Sequence, residues 1–142
     1  MNLHNNKKLF EKYIRETAKL MDTNPFYIEK DYYVTKMLHN ISKSDSVKNI
    51  SFKGGTSLSK AYNMILRFSE DVDLRIHDPE NLTFGGGVAK RLYKSVEKLI
   101  DDDCLISTNY INSGTSLREQ RFEFETIFDN PSQETLPYLK LE

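Results

Sequence analysis

Ser51-Phe52-Lys53-Gly54-Gly55-Thr56-Ser57-Leu58-Ser59-Lys60-Ala61-Tyr62, then Asn63-Met64-Ile65-Leu66-Arg67-Phe68-Ser69-Glu70, then Asp71-Val72-Asp73-Leu74-Arg75, is the stretch on which the reading of this chain turns. Ile50-Ser51-Phe52 reads as a short strand that runs into two glycines. Thr56 then opens a helix to about Ile65, with Leu58, Ala61, Tyr62 and Ile65 on its inner face. From Asp71 to Ile76 the period changes to two. Val72, Leu74 and Ile76 fall on one face and Asp71, Asp73 and Arg75 on the other, which is the pattern of a strand half buried and half available for chemistry.

The glycine turn is neither a P-loop nor a Gly-x-Gly-x-x-Gly fingerprint. Its context gives it weight: a strand before it, a helix after it, and the hydroxyl pair Thr56 and Ser57 at the helix start. Backbone N–H groups at such a start, with the helix dipole behind them, suit an anion such as phosphate. The same Thr56 reads structurally as a helix cap on a tight turn. Asp71 and Asp73, at i and i+2 of a strand, point the same way and bring two carboxylates to one place. Carboxylates held close repel one another unless a cation sits between them. Mg²⁺ commonly takes one or two protein carboxylates and completes its shell with water and phosphate oxygens. Two such ions can activate an attacking hydroxyl and steady a leaving pyrophosphate. Fourteen residues separate Thr56 from Asp71, so phosphate turn and acidic pair belong to one site.

On the N-terminal side, Leu9, Phe10, Tyr13, Ile14, Thr17, Ala18 and Met21 recur at helical spacing between Asn6 and Met21. Asp22-Thr23-Asn24 breaks that helix. Asn24 as cap and Pro25 as first helical residue then start a second, running to about Asn40, with Ile28, Tyr32, Tyr33, Met37, Leu38 and Ile41 available for burial. Glu29-Lys30-Asp31 is a dense charge triplet for such a helix; it either reaches the site or braces the turn. Residues 42–48 form a polar loop. On the C-terminal side, 77–87 is a loop ending in Phe84-Gly85-Gly86-Gly87, and a helix follows over 88–100 with Val88, Leu92, Val96 and Leu99 inward. Strands over 104–111, 117–128 and 137–142 are separated by Asn112-Ser113-Gly114-Thr115 and Asp129-Asn130-Pro131-Ser132, both good turn sequences. Two helices, a strand, a helix, a strand, a helix and a run of strands make an α+β (mixed α/β) domain with a small mixed sheet flanked by helices.

The 142 residues suit a single domain: a helical N-terminal part over 1–45 and a sheet-containing core over 46–142. No apolar run approaches the roughly 18–20 residues of a membrane helix, and the polar opening Met1-Asn2-Leu3-His4-Asn5-Asn6 is no signal peptide. Cys104 is the one cysteine, so no internal disulfide forms, and a cytoplasmic protein is expected. The net charge of −1 hides an asymmetry: residues 1–67 carry +6 and residues 68–142 carry −7. Such a division suits phosphate binding by one part and cation binding by the other, or simple attraction between the halves.

These segments carry a resemblance. Gly54-Gly55-Thr56, the helix after it and Asp71-Val72-Asp73 look like the signature of the DNA polymerase β-like nucleotidyltransferase superfamily. The wider wording is similar to the AbiEii/AbiGii toxins of bacterial toxin–antitoxin and phage-defence systems: Phe52 to Tyr62, Arg67 to Leu74, and Glu29-Lys30-Asp31-Tyr32-Tyr33-Val34-Thr35 upstream. It covers about residues 25–80 strongly and the remainder in pattern. The resemblance implies a polymerase β-like fold and transfer of a nucleotide from NTP, with Mg²⁺ or Mn²⁺, to an RNA acceptor, often the tRNA 3′ end, with a cognate antitoxin as partner. Carried over by position, Gly54, Gly55, Thr56, Ser57 and Lys60 would hold the nucleotide and Asp71 and Asp73 the metal. The superfamily adds a third carboxylate on a neighbouring strand; the candidates are Glu142, Glu123 and Glu125, with Glu142 favoured. Chains of this family continue into a helical C-terminal region that the sequence here is expected to lack. The alternatives are a truncated, non-catalytic nucleotide- or partner-binding module, or a nucleotidyltransferase acting on a small-molecule acceptor.

Overall fold

The computed structural model describes residues 2–43, 50–64, 68, 71–76, 94–100, 104–113, 117–132 and 136–142. The loop expected over 77–87, the first part of the helix expected over 88–100 and the Asp101-Asp102-Asp103 run lie outside the described residues. Helix α1 spans Lys7–Leu20; the side chain of its cap, Asn6, accepts from the Leu9 N–H. It buries Phe10, Ile14 and Ala18, spaced four apart, while Tyr13 and Met21 stay largely exposed. Asp22 at φ 48° turns the chain. Asn24 caps α2, Pro25–Ser42, by accepting from Phe26 N, with Pro25 in the first turn where its missing N–H costs nothing. Phe26 and Val34 are more deeply buried than the sequence pattern suggested, and Tyr32 and Leu38 less.

Strand β1 (Ile50–Lys53) leads directly into α3 (Gly54–Lys60). This helix starts earlier and ends sooner than the expected 56–65. Thr56 and Ser57 are its buried residues, whereas Leu58 and Tyr62, expected inward, are exposed. The cause is local: the Ala61 N–H bonds the Ser57 carbonyl and Asn63 takes φ 53°, so the chain turns before a second inward row forms. Strand β2 is Asp71–Ile76; a helix α4 occupies 94–100; β3 (Ile106–Ser113) and β4 (Leu117–Glu123) form a hairpin; β5 is Leu139–Leu141. Strand β4 stops at Glu123 instead of continuing to Phe128; at the far end of the expected strand the Ile127 and Phe128 N–H groups donate to the Glu29 side chain of α2 and not to a neighbouring strand.

The five strands lie in the order β1-β2-β5-β4-β3. Neighbours are antiparallel except β2 and β5, whose parallel register pairs Asp71 with Lys140 and Val72 with Leu141. The fold is therefore the mixed α+β arrangement expected, with a five-stranded mixed sheet consistent with a nucleotidyltransferase-like fold. Val72, Phe122, Leu139 and Leu141 alternate onto one face of the sheet and join Val34, Met37, Ile41, Val96, Ile100 and Leu105 in a single core. Alternation sends the intervening residues to the other face, and that face carries the chemistry. Among the described residues no helix is long and apolar enough to cross a membrane.

Candidate active site

Side chains directly opposite across a parallel pair share a face, so the β2–β5 register decides what meets Asp71 and Asp73. The ladder continues past the strand ends: Leu74 N donates to the Glu142 carbonyl at 2.7 Å and Glu142 N donates to the Val72 carbonyl at 3.0 Å. Glu142 is thereby brought level with Asp73, and Lys140 with Asp71. The Lys140 ammonium lies 2.7 Å from Glu142 Oε1 and 3.6 Å from Asp71 Oδ2. On the opposite side, the antiparallel register places Lys53 across from Asp73, with Nζ 3.4 Å from Oδ1. One face of three adjacent strands thus carries Asp71, Asp73 and Glu142 interleaved with Lys53 and Lys140. Hydrogen bonding to Glu142 is the main reason the Lys140 ammonium holds its proton above the ordinary lysine range, with Asp71 adding to it against a cost of burial.

The glycine turn fits against this face. Gly54 has φ 75°, a left-handed conformation that glycine adopts without penalty. A Cβ built there would lie 1.8 Å from Asp73 Oδ2, so only glycine lets the turn close over that carboxylate. Thr56 and Ser57 are turned away from solvent. The Thr56 hydroxyl donates to the backbone carbonyl of Asp71, tying α3 to β2, and Ser57 Oγ donates to the Gly54 carbonyl at 3.2 Å. Their hydroxyls are thus engaged with backbone, and the structure shows them first as anchors of the turn. Lys60 is paired with Asp31 at 2.8 Å and donates to Thr35 Oγ1 at 2.9 Å, which links α3 to α2.

The three acids weighed for the third carboxylate part company here. Glu142 joins the acidic pair. Glu123 sits at the far end of β4, exposed. Glu125 forms an ion pair with Lys7 of α1 at 2.5 Å, away from the acidic face. The sequence reading passed over Lys140, yet the signal was there: in Leu139-Lys140-Leu141-Glu142 the lysine and glutamate occupy the same alternate positions as Asp71 and Asp73 in β2.

The Glu29-Lys30-Asp31 triplet proves to be a brace. Glu29 is fully buried; its carboxylate accepts from Thr126 Oγ1 at 2.7 Å, Ile127 N at 2.9 Å and Phe128 N at 3.3 Å. Burial raises its pKa, and these hydrogen bonds pull the other way without cancelling it. Lys30 Nζ, also buried, donates to the Leu136 carbonyl at 2.6 Å. Both ends of the segment joining β4 to β5 are therefore held by α2, and that segment delivers Lys140 and Glu142 to the acidic face.

The donor set is all oxygen, partly exposed and on one face, which suits a hard divalent cation needing one or two protein carboxylates. That a lysine ammonium already lies between Asp71 and Glu142 shows the place to be favourable for positive charge. Among the described residues, no three acidic, histidine or cysteine side chains converge tightly enough to hold an ion between them. No curated protein and no solved structure matches this chain. The model of the family described as nucleotidyl transferase AbiEii toxin, type IV toxin–antitoxin system, matches residues 36–137, which include the glycine turn, α3, Asp71 and Asp73. With a match over most of its length, the chain belongs to the AbiEii nucleotidyl transferase toxin family of type IV toxin–antitoxin systems.

Proposed function

We propose that this chain transfers a nucleotide from an NTP to the 3′ hydroxyl of an RNA, with tRNA as the acceptor and Mg²⁺ or Mn²⁺ as cofactor. The observation that carries the reading is the meeting of Asp71, Asp73 and Glu142 on one face beneath a turn that closes only because residue 54 lacks a Cβ. Asp71 and Asp73 would hold the metal, which when bound offsets phosphate charge and lowers the pKa of a coordinated hydroxyl. The backbone N–H groups at Gly54, Gly55 and Thr56 face the triphosphate, while Thr56 and Ser57 hold the turn in shape. Glu142, beside the pair, accepts the proton of the acceptor hydroxyl. The 3′ oxygen then bonds to the α-phosphorus, the bond from that phosphorus to the bridging oxygen breaks, and pyrophosphate leaves. Family membership implies an antitoxin as partner; the RNA acceptor and the cytoplasm as place of action are part of the proposal.

Incubating the protein with α-labelled NTPs, Mg²⁺ and total tRNA should label the RNA 3′ end, and Asp71→Ala should abolish the label. Label that persists in the variant overturns the assignment of the acidic pair. NTP binding with no labelling of RNA or of small hydroxylated acceptors would make the chain a nucleotide-binding module instead.

A further inference from the structure

The acidic face holds a cation of its own. Lys140 Nζ lies 2.7 Å from Glu142 and 3.6 Å from Asp71, and its side chain is only 20% exposed. Lys53, by contrast, is half exposed and reaches Asp73 alone, at 3.4 Å. Lys140 is therefore the one of these two lysines that bridges carboxylates on two different strands. The bridge has a consequence for folding and another for binding. Asp71 and Glu142 come from parallel strands that would bring like charges together, and an ammonium between them relieves that repulsion. An ammonium in contact with both carboxylates also opposes the approach of a second cation and occupies oxygens that the second cation would need.

We propose that Lys140 is a tethered stand-in for the divalent cation: it keeps the acidic strands paired before the metal arrives, and the metal binds by displacing it from Asp71. The proposal rests on the reading of Asp71 and Asp73 as the cation site. It assigns Lys140 two effects of opposite sign. The residue stabilises the metal-free fold, and it weakens metal binding. A lysine with a purely structural role would show the first effect without the second.

The test uses Mn²⁺ titration of the full chain, followed by calorimetry and by the loss of free-ion paramagnetic signal. Lys140→Met should bind Mn²⁺ about ten-fold more tightly or better. Lys12→Met, which removes a solvent-exposed lysine from α1, should leave the affinity unchanged, and Asp71→Asn should lose the site. The metal-free Lys140→Met protein should melt lower than the parent and gain more from saturating Mn²⁺. Should that variant fail to fold, the unaltered protein answers the same question: the side-chain ¹⁵N resonance of Lys140 should shift on saturation with Mg²⁺. Mn²⁺ binding that is lost in Asp71→Asn but not tightened in Lys140→Met overturns the lysine's role alone, as does a Lys140 resonance indifferent to Mg²⁺. Absence of Mn²⁺ binding in parent and variant alike overturns the cation site and this proposal together.

Discussion

Two parts of the molecule handle charge in opposite ways. Under α2, Glu29 and Lys30 are buried, and their partners are chiefly backbone: the N–H groups of Ile127 and Phe128 for one, the Leu136 carbonyl for the other. Across the sheet, Asp71, Asp73 and Glu142 are partly exposed, and their cationic partners are the flexible side chains of Lys53 and Lys140. A backbone partner cannot leave without unfolding the segment that carries it. A lysine ammonium can swing into water at small cost, because its charge is readily hydrated there. The first arrangement therefore fixes geometry, and the second leaves carboxylates open to exchange. Charge density in sequence is similar in the two places, so it is the partner that separates structure from chemistry.

The largest expected effect breaks the exchangeable side. Asp71→Asn preserves shape but removes charge and one acceptor oxygen, and nucleotide transfer should fall at least about a hundred-fold, read from initial labelling rates. Its melting temperature should stay near the parent's, because the acid is not a buried brace. Gly54→Ala acts on the same acidic face, since it alters the turn and crowds Asp73. The φ of 75° and the 1.8 Å approach to Asp73 Oδ2 should cost about 2 kcal/mol or more of stability in denaturant titration, with activity lost in parallel.

On the fixed side, Glu29→Gln should cost about 1–3 kcal/mol, because all its partners are donors and the new amide NH₂ would face one of them. The pH dependence sharpens the point. The raised pKa of Glu29 means that the folded state binds its proton more tightly than the unfolded state, for which 4.5 is the reference. The stability it contributes is therefore complete below pH 4.5 and is lost as pH rises through the folded-state value. Glu29→Gln should flatten that part of the stability profile in thermal melts from pH 4 upward; an unchanged slope would place the raised pKa elsewhere. The smallest effect belongs to Lys7→Ala, which removes the exposed pair with Glu125 and should shift stability by less than about 1 kcal/mol.

Much of the architecture could be read along the chain, because helices and strands announce themselves by period. The Asn24 cap, the Pro25 start and the alternation of Asp71 to Arg75 all act within a few residues, and the structure reproduces them. The inner face of α3 was misjudged for the opposite reason. Leu58 and Tyr62 have the right spacing for burial, but Thr56 and Ser57 are the residues that α3 buries, and the helix ends at Lys60 before Tyr62 is reached. Strand β4 is shorter than its alternation suggests, because the pattern in Glu123 to Phe128 cannot reveal that Tyr33 and Glu29 of α2 bond the Glu125 carbonyl and the Ile127 and Phe128 N–H groups.

For the site, the sequence by itself determined that Asp71 and Asp73 share a face and that a glycine turn precedes them. Both facts follow from local geometry, one from the two-residue repeat of a strand and one from the conformational range of glycine. Tertiary structure alone decided that Gly54 makes room for the Asp73 carboxylate, that Glu29 faces inward, and that Lys140 and Glu142 lie beside the acidic pair. Each of those depends on a long-range register, above all the parallel pairing of β2 with β5. Such a register is set by the burial of Val72, Leu139 and Leu141 in one core, and no property of any single segment encodes which partner it will find there.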